Sequence, residues 1–385
     1  MRMWVYITRR LLLLIPVVIG VMTITFVLIS GIPTSQRFLS YCGPPPIHGG
    51  QEAQAKYTAH CNRILGLDQP VYTQWAVYMF NTLTFQWGHA GNTTAAEQAM
   101  PVIQGQPVTT VLGWLLPYTI ELALLSLFII LVVSLPLGRL SAVYRNRPID
   151  QAARVMSFSG FAIPTFLLGS LSLIAMVLIL SNFHWYGCSG PFNEVYGSWP
   201  QAGCMAGGTP SNLNYPAWLK FGVVSTPTGF PTIDAAIHGQ YLVSLDTVLR
   251  ILVPALIIAY GSIAVLLRFV RNSMLEVMNL DFVRTARAKG ATEDVVIKRH
   301  AGRNSLNVTV TILGLTFAFF IGGFPIIEEV FRLNGVGRIL ALSVLQPYDF
   351  GLIFGSTILF TLIVVVANII VDIVYALLDP RVRLG

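Results

Sequence analysis

The chain has 385 residues, of which 54% are apolar and only 11% charged, with a net charge of +7 and a mean hydropathy of +0.68. Soluble domains carry about 25% charged residues, so this composition excludes a disordered chain, a collagen and a water-soluble enzyme of ordinary make-up. The apolar residues fall into long runs, which points to an all-α polytopic membrane protein.

A bilayer core requires about 20 apolar residues per helix. The first candidate is Leu11–Ile29, preceded by Arg9 and Arg10 and closed by Gly31 and Pro33. Its run is too long for a signal peptide and no small-x-small cleavage site follows, so it reads as a retained anchor. A hydrophilic segment, 31–110, comes next, with helices expected over Ala53–Gly66 and Val71–Leu83. In the second of these, Tyr72, Trp75, Tyr78 and Met79 suit a membrane surface or, alternatively, a ligand-stacking platform. Two spans follow, Val111–Leu135 and Val155–Leu180, then a second hydrophilic segment, 181–247, read as an external cap. The last three spans are Val248–Phe269, Leu306–Phe324 and Phe350–Tyr375, making six in all. Pro16, Pro136, Pro164 and Pro254 lie in or beside spans and are expected to set kinks. The organisation is therefore an anchor helix (1–30), an external segment (31–110), a five-helix core (111–377) with the cap 181–247 and an inner loop 271–304, and a tail (378–385).

Lys and Arg are retained on the cytoplasmic side. With the N-terminus inside, the inner segments hold 17 of the 24 basic residues against six acids, and the outer segments hold seven basic residues against nine acids. The basic balance is thus a topology signal and no evidence for nucleic acid; both termini are placed in the cytoplasm. Cys42, Cys61, Cys188 and Cys204 all fall in the outer segments, where an oxidising compartment permits disulfides. Three connectivities are open. The local pairing, Cys42–Cys61 with Cys188–Cys204, would close loops of about 15–20 residues, each worth roughly 3 kcal/mol in the chain-entropy model.

Glu121 and Asp372 are the acids inside expected spans. A charge at the bilayer centre costs about 2.5–3.5 kcal/mol on insertion scales, so each should face protein or water. Glu121 lies well inside its span, and both lining a translocation cavity and structural pairing are open to it. Asp372 is nearer the inner end and is expected to pair structurally, with Arg381 or a neighbouring helix. The connection 324–349, with Glu328 and Glu329, is read either as a contact near the cavity mouth or as a simple surface connector.

The inner stretch Asn279–Asn304 carries the most information. Asp281–Lys289 favours helix, with small Ala286 and Ala288 and with Arg284, Arg287 and Lys289 free for polar contacts. Gly290 should break it, and Thr292 is placed to cap a second helix whose first turn holds Glu293 and Asp294, with Lys298, Arg299 and His300 toward its other end. Helix, sharp turn and second helix would make a compact projection into the cytosol. No G-x-x-x-x-G-K-[ST] loop, no H-E-x-x-H and no Cys/His cluster of zinc spacing occurs in the sequence. Neither catalytic residues nor a metal site are therefore expected, and the chain is read as no enzyme.

The segment Arg284–Gly290, RTARAKG, resembles the "EAA…G" loop of binding-protein-dependent ABC importer permeases in the variant of the dipeptide/oligopeptide branch. Further matches run in order along the chain: YITRRLLLLIPVVIG (Tyr6–Gly20), LGLDQP (Leu65–Pro70), TIELAL (Thr119–Leu124), FPIIEEVFRLNGVG (Phe324–Gly337) with Tyr348-Asp349, and VDIVYALLDPRVR (Val371–Arg383). Two departures stand out: Arg284 and Thr285 replace the Glu and first Ala of the loop, and its closing Leu-Pro is changed around Gly302-Arg303. The external segments also look longer than usual.

The resemblance implies a type I ABC importer permease fold in the inner membrane and half of a translocation pathway, completed by a second homologous permease. It implies two ATPase subunits that carry ATP and Mg, an external substrate-binding protein, and no cofactor in this chain. Asp281, Arg284, Thr285, Ala286, Arg287, Ala288, Lys289 and Gly290, with Glu293, would form the loop that docks on the ATPases. Peptides are the implied cargo, with oligosaccharides or another small solute as the rival within the class. An ATP-independent secondary transporter is the rival outside it; that class would show internal repeats or several intramembrane charges, and neither is evident. A membrane enzyme is disfavoured by the lack of a nucleophile–base constellation.

Overall fold

In hydrocarbon a single apolar stretch must satisfy its own backbone N–H and C=O groups, which only a helix does. The computed structural model of the protein describes residues 3–31, 50–91, 100–180, 228–302, 305, 325–345 and 348–378. Among these residues there are helices and no strand. The helices are α1 (Met3–Ser30), α2 (Gly50–Leu65), α3 (Val71–Leu83), α4 (Val108–Val143), α5 (Pro148–Ala162), α6 (Thr165–Leu180), α7 (Pro231–Ile237), α8 (Tyr241–Met278), α9 (Asp281–Ala288), α10 (Val336–Ser343) and α11 (Phe350–Leu378).

Among the described residues α4, the Ile251–Met278 part of α8 and the Phe350–Val371 part of α11 are long and apolar enough to cross a membrane. The described apolar part of α1, Ile15–Leu28, is shorter. The expected span Leu306–Phe324 and most of the cap, 181–227, lie outside the described residues. The kink expected at Pro164 is a full break in the span 155–180. The break lies between α5 and α6, which bend by 104°. Pro164 has no N–H to continue the helix and biases the residue before it away from helix, and Ile163 is extended at φ −95°, ψ 120°. Pro16, Pro136 and Pro254, by contrast, sit inside continuous helices.

α8 is the central element, packed against α4, α5, α7 and α6. Lipid tails are as apolar as the side chains, so helices associate through close packing at small residues. A Cβ on Gly138 of α4 would meet Val270 Cβ of α8 at 2.8 Å, and one on Gly160 of α5 would meet Ala264 Cβ of α8 at 2.6 Å. The core around these contacts includes Leu122, Ile130, Ile258, Leu266 and Leu267. A second core joins the stretch between α3 and α4 to α4, α10 and α11 through Trp87, Ile103, Leu112, Leu115, Ile339 and Leu352.

α3 has the expected bounds, but its aromatic face is only partly a free surface. Met79 is buried, Trp75 Nε1 donates to Thr23 Oγ1 of α1 at 3.1 Å, and Tyr78 lies 5.6 Å from Phe26, centroid to centroid. Tyr72 alone of the four is fully exposed. Cys61 is buried and disulfide-bonded. Cys42, Cys188 and Cys204 lie outside the described residues, so its partner does as well.

Candidate functional site

The segment 279–301 forms a projection at the C-terminal end of α8. The chain leaves α8 at Asn279, turns at extended Leu280 (φ −74°, ψ 152°) and enters α9. Val283 and Ala286, three residues apart on one face, are buried; Arg284, Thr285, Arg287, Ala288, Lys289 and Gly290 are exposed. The buried face rests on a cluster of Ala142 from α4, Met274 and Val277 from α8, and Val296 and Ala301. Gly290 ends α9 at φ +82°, a left-handed conformation that costs a residue with a Cβ about 1–2 kcal/mol. Gly290 N donates to Arg287 O at 2.9 Å and Ala291 N to Ala286 O at 3.2 Å, the paired bonds of a glycine-terminated helix.

Beyond the turn the expected second helix is corrected. Thr292 occupies the capping position, but its side chain makes no capping bond. One α-turn, Glu293–Val295, is followed by a π-helical turn, Val296–Ala301. The wider turn puts Val296 and Ala301, five residues apart, on the same inward side. Arg287 Nε donates to Glu293 Oε1 at 2.7 Å and closes the loop; Lys298–Asp294 at 2.8 Å and Arg284–Asp281 at 3.5 Å are exposed, and such pairs stabilise little. The outward side of the projection shows Leu280, Phe282 and Val295 among these charges.

Just above the projection, Asp150 in the first turn of α5 is fully buried and gathers three elements. It accepts from Ser141 Oγ of α4 at 2.6 Å, from Asn146 N at 2.9 Å, and from Arg271 of α8 through Nε at 2.6 Å and Nη2 at 3.1 Å. Arg154 of its own helix donates as well. The Arg271 hydrogen bonds, followed by those of Arg154, hold the Asp150 carboxyl well below the usual carboxylate range.

Nearer the N-terminal end of α4, one of its turns anchors two short helices by their N-termini. Thr119 Oγ1 donates to Glu328 Oε1 at 2.8 Å and accepts from Val336 N, the first residue of α10, at 2.9 Å. The other Glu328 oxygen accepts from Arg338 N at 3.0 Å. Two residues along α4, Glu121 is buried and accepts from Thr232 N of α7 at 2.9 Å. Both are acids facing the N–H-rich end of a helix, where negative charge is favoured. Burial pushes the Glu328 carboxyl up to about 7, against the opposing hydrogen bonds from Thr119 and the α10 backbone. The surface-connector reading of 324–349 is thereby corrected: Glu328, Phe331, Val336 and Arg338 are buried.

The structure therefore brings the expected loop residues Asp281–Gly290 and Glu293 into one projection. It places Glu121 far from them, in a hydrogen bond to α7. The Asp372 side chain lies outside the described residues. Asp150, Arg271 and Thr119 have no site role in the sequence reading, and Glu328 enters it only as part of the connection 324–349. For Asp150 a signal existed: it is the lone acid among Arg139, Arg145, Arg147 and Arg154. Among the described residues no group of three or more His, Cys, Asp or Glu is placed to hold a metal ion.

Residues 134–384 match the family described as binding-protein-dependent transport system inner membrane component, and residues 3–123 match the N-terminal region of such membrane components. The boundary between the two falls inside the single helix α4. The chain is 30% identical to the oligopeptide transport system permease protein AppB of Bacillus subtilis, covering 98% of this chain and 99% of that one. It is 30% identical to the dipeptide transport system permease protein DppB of Escherichia coli, covering 98% of each. It is 29% identical to the probable D,D-dipeptide transport system permease protein DdpB of Escherichia coli, over 100% of this chain and 99% of the relative.

Proposed function

Because the chain belongs to the family of binding-protein-dependent transport system inner membrane components, we propose that it is the permease subunit of an ATP-driven importer of di- and oligopeptides. It spans the inner membrane six times with both termini inside, and residues 31–110 and 181–247 face outward. It forms half of the pathway with a second, homologous permease. Two ATPase subunits that bind ATP and Mg dock beneath it, and an external binding protein delivers the peptide.

The observation that carries this reading is the projection Asp281–Ala301. One face is seated on α4 and α8, and the other offers Leu280, Phe282 and Val295 ringed by Arg284, Lys289 and Glu293. Apolar anchors within a polar rim are what a protein–protein contact uses. A rigid body seated on two long helices passes a push at its tip to the pathway, switching it between inward and outward access. Glu121 acts here as a support of the outer wall, through α7.

The test is Gly290→Val. A Cβ at this position meets nothing within 4 Å, so the change acts on the backbone turn and leaves packing alone. Dipeptide uptake in cells should fall about tenfold or more while the amount of chain inserted in the membrane stays the same. Wild-type uptake by this variant, or failure of ATPase subunits to co-purify with the unmodified chain, would overturn the assignment.

A further inference from the structure

Asp150 lies outside the projection, yet its carboxylate accepts from Ser141, Asn146 N, Arg154 and Arg271. Its side chain is fully buried, while that of Arg271 is 15% exposed and that of Arg154 44% exposed. The strong partner is therefore the guanidinium of α8, which grips both carboxylate oxygens (Nε to Oδ1 at 2.6 Å, Nη2 to Oδ2 at 3.1 Å). Such two-point pairs fix orientation as well as distance. Ser141 of α4 adds a third element at 2.6 Å.

The position of this clasp along α8 gives it meaning. Arg271 is next to Val270, which packs on Gly138 of α4, and three residues before Met274, which lies in the cluster under α9. Ser141 is next to Ala142 of that same cluster. The clasp thus sits one helical turn above the seat of the projection and joins α4, α5 and α8 at that level.

Given the importer reading above, on which this step rests, we infer that Asp150 is a positioning residue for energy coupling. It locks α5 to the α4–α8 pair, so that displacement of the projection moves the bent α5–α6 unit with it. Without the lock, α8 rocks with the ATPases while α5 and α6 lag. ATP is then hydrolysed with less peptide carried.

The experiment uses the whole complex in proteoliposomes: this chain, the second permease, both ATPases and the binding protein, with radiolabelled dialanine as the probe. The readout is dialanine imported per ATP hydrolysed, a ratio that a loss of folded complex alone does not move. Two variants are compared, Asp150→Asn and the double variant Asp150→Asn/Arg271→Gln, which removes the guanidinium left unpaired by the first. In both, the ratio should fall about tenfold, and the double variant should regain assembly without regaining the ratio. A wild-type ratio in either assembled variant overturns the inference. So does recovery of the ratio in the double variant, or failure of both to assemble, since each assigns the clasp to folding alone. Failure of the underlying reading shows separately, in the unmodified complex, as dialanine uptake that does not require ATP.

Discussion

Two buried carboxylates, one at each end of the helical core, are satisfied in opposite ways. Asp150, at the end of the core that carries the projection (the inner end below), faces two guanidiniums, those of Arg271 and Arg154. Glu328, at the opposite end (the outer end below), faces the Thr119 hydroxyl and the α10 backbone. The side chain of its neighbour Arg338 turns instead to Glu329, Asn334 and the Arg332 carbonyl. Neutral donors offset desolvation of a charge less well than an ion partner does. The inner carboxyl is accordingly a permanent charge, and the outer one is pushed up to about 7 by burial. The inner end is locked by charge between helices far apart in sequence, while the outer end is locked by fit around a group that titrates near neutrality.

The largest effect should come from truncating the charged lock. Asp150→Ala leaves Arg271 partly buried without its carboxylate, and breaking a buried pair from one side costs about 3–5 kcal/mol. Thermal unfolding of the purified chain in detergent should show a lower midpoint than any variant at the outer end. If Glu328→Ala proves the more damaging, the ranking of ion pair over neutral cradle is wrong.

The pH response separates the two ends by sign. A carboxyl whose folded value is raised contributes stability that is present below its unfolded value and is lost as pH rises through the folded value. For Glu328 that window runs from about 4.5 to about 7, and the loss over it is about 3 kcal/mol. Asp150 is depressed, so its contribution is present above the ordinary carboxylate value of about 4 and is lost only as pH falls below it. Between pH 5 and 8 the unfolding midpoint should therefore drop as pH rises, and Glu328→Gln should flatten that slope while Asp150→Asn leaves it in place. A slope that survives Glu328→Gln would show that another group sets it.

The outer lock depends on the absence of a side chain. A Cβ on Gly335 would collide with the Glu328 carboxylate, and one on Gly337 would meet Pro325 N at 2.6 Å and Cα at 2.7 Å. Gly335→Ala should cost about 1–3 kcal/mol, as overpacking does in a filled site. Because the carboxylate is what it displaces, the same variant should also shift the pH slope. An alanine variant of wild-type stability and wild-type slope would mean that the cradle is looser than its contacts suggest.

These contrasts explain what could be read from sequence. α3 is legible at Val71–Leu83 because its aromatic residues Tyr72, Trp75 and Tyr78 recur within one short stretch, and the turn at Gly290 because glycine is the residue that a left-handed helix end favours. The projection was legible for the same reason: its parts lie within about twenty consecutive residues. The two locks were not. Asp150 and Arg271 are 121 residues apart, and Thr119 and Glu328 are 209 apart, so no local period reports either. The adjacent pair Glu328-Glu329 is open in sequence to either a cavity-mouth contact or a surface connector, and nothing local says that only the first of the two is buried. The break between α5 and α6 is signalled by Pro164, but its 104° angle is not written in any local pattern.

The smallest effect should come from Arg154, and it is the most discriminating within the inner lock. Arg154 and Arg271 both bond Asp150, so removing either leaves the carboxylate one guanidinium beside Ser141 and the Asn146 N–H. They differ in what they connect. Arg154 ties Asp150 to the next turn of its own helix and is nearly half exposed, whereas Arg271 ties it to α8 and is almost covered. Water can take over the Arg154 contact, since exposed pairs along one helix stabilise little; it has less access to the Arg271 contact. Arg154→Gln should therefore shift the unfolding midpoint by only a fraction of the shift seen in Arg271→Gln. It should also leave the peptide-per-ATP ratio near wild type, while Arg271→Gln lowers it. Equal effects of the two substitutions on that ratio would mean that the charge on Asp150, and not its bond to α8, is what the coupling requires.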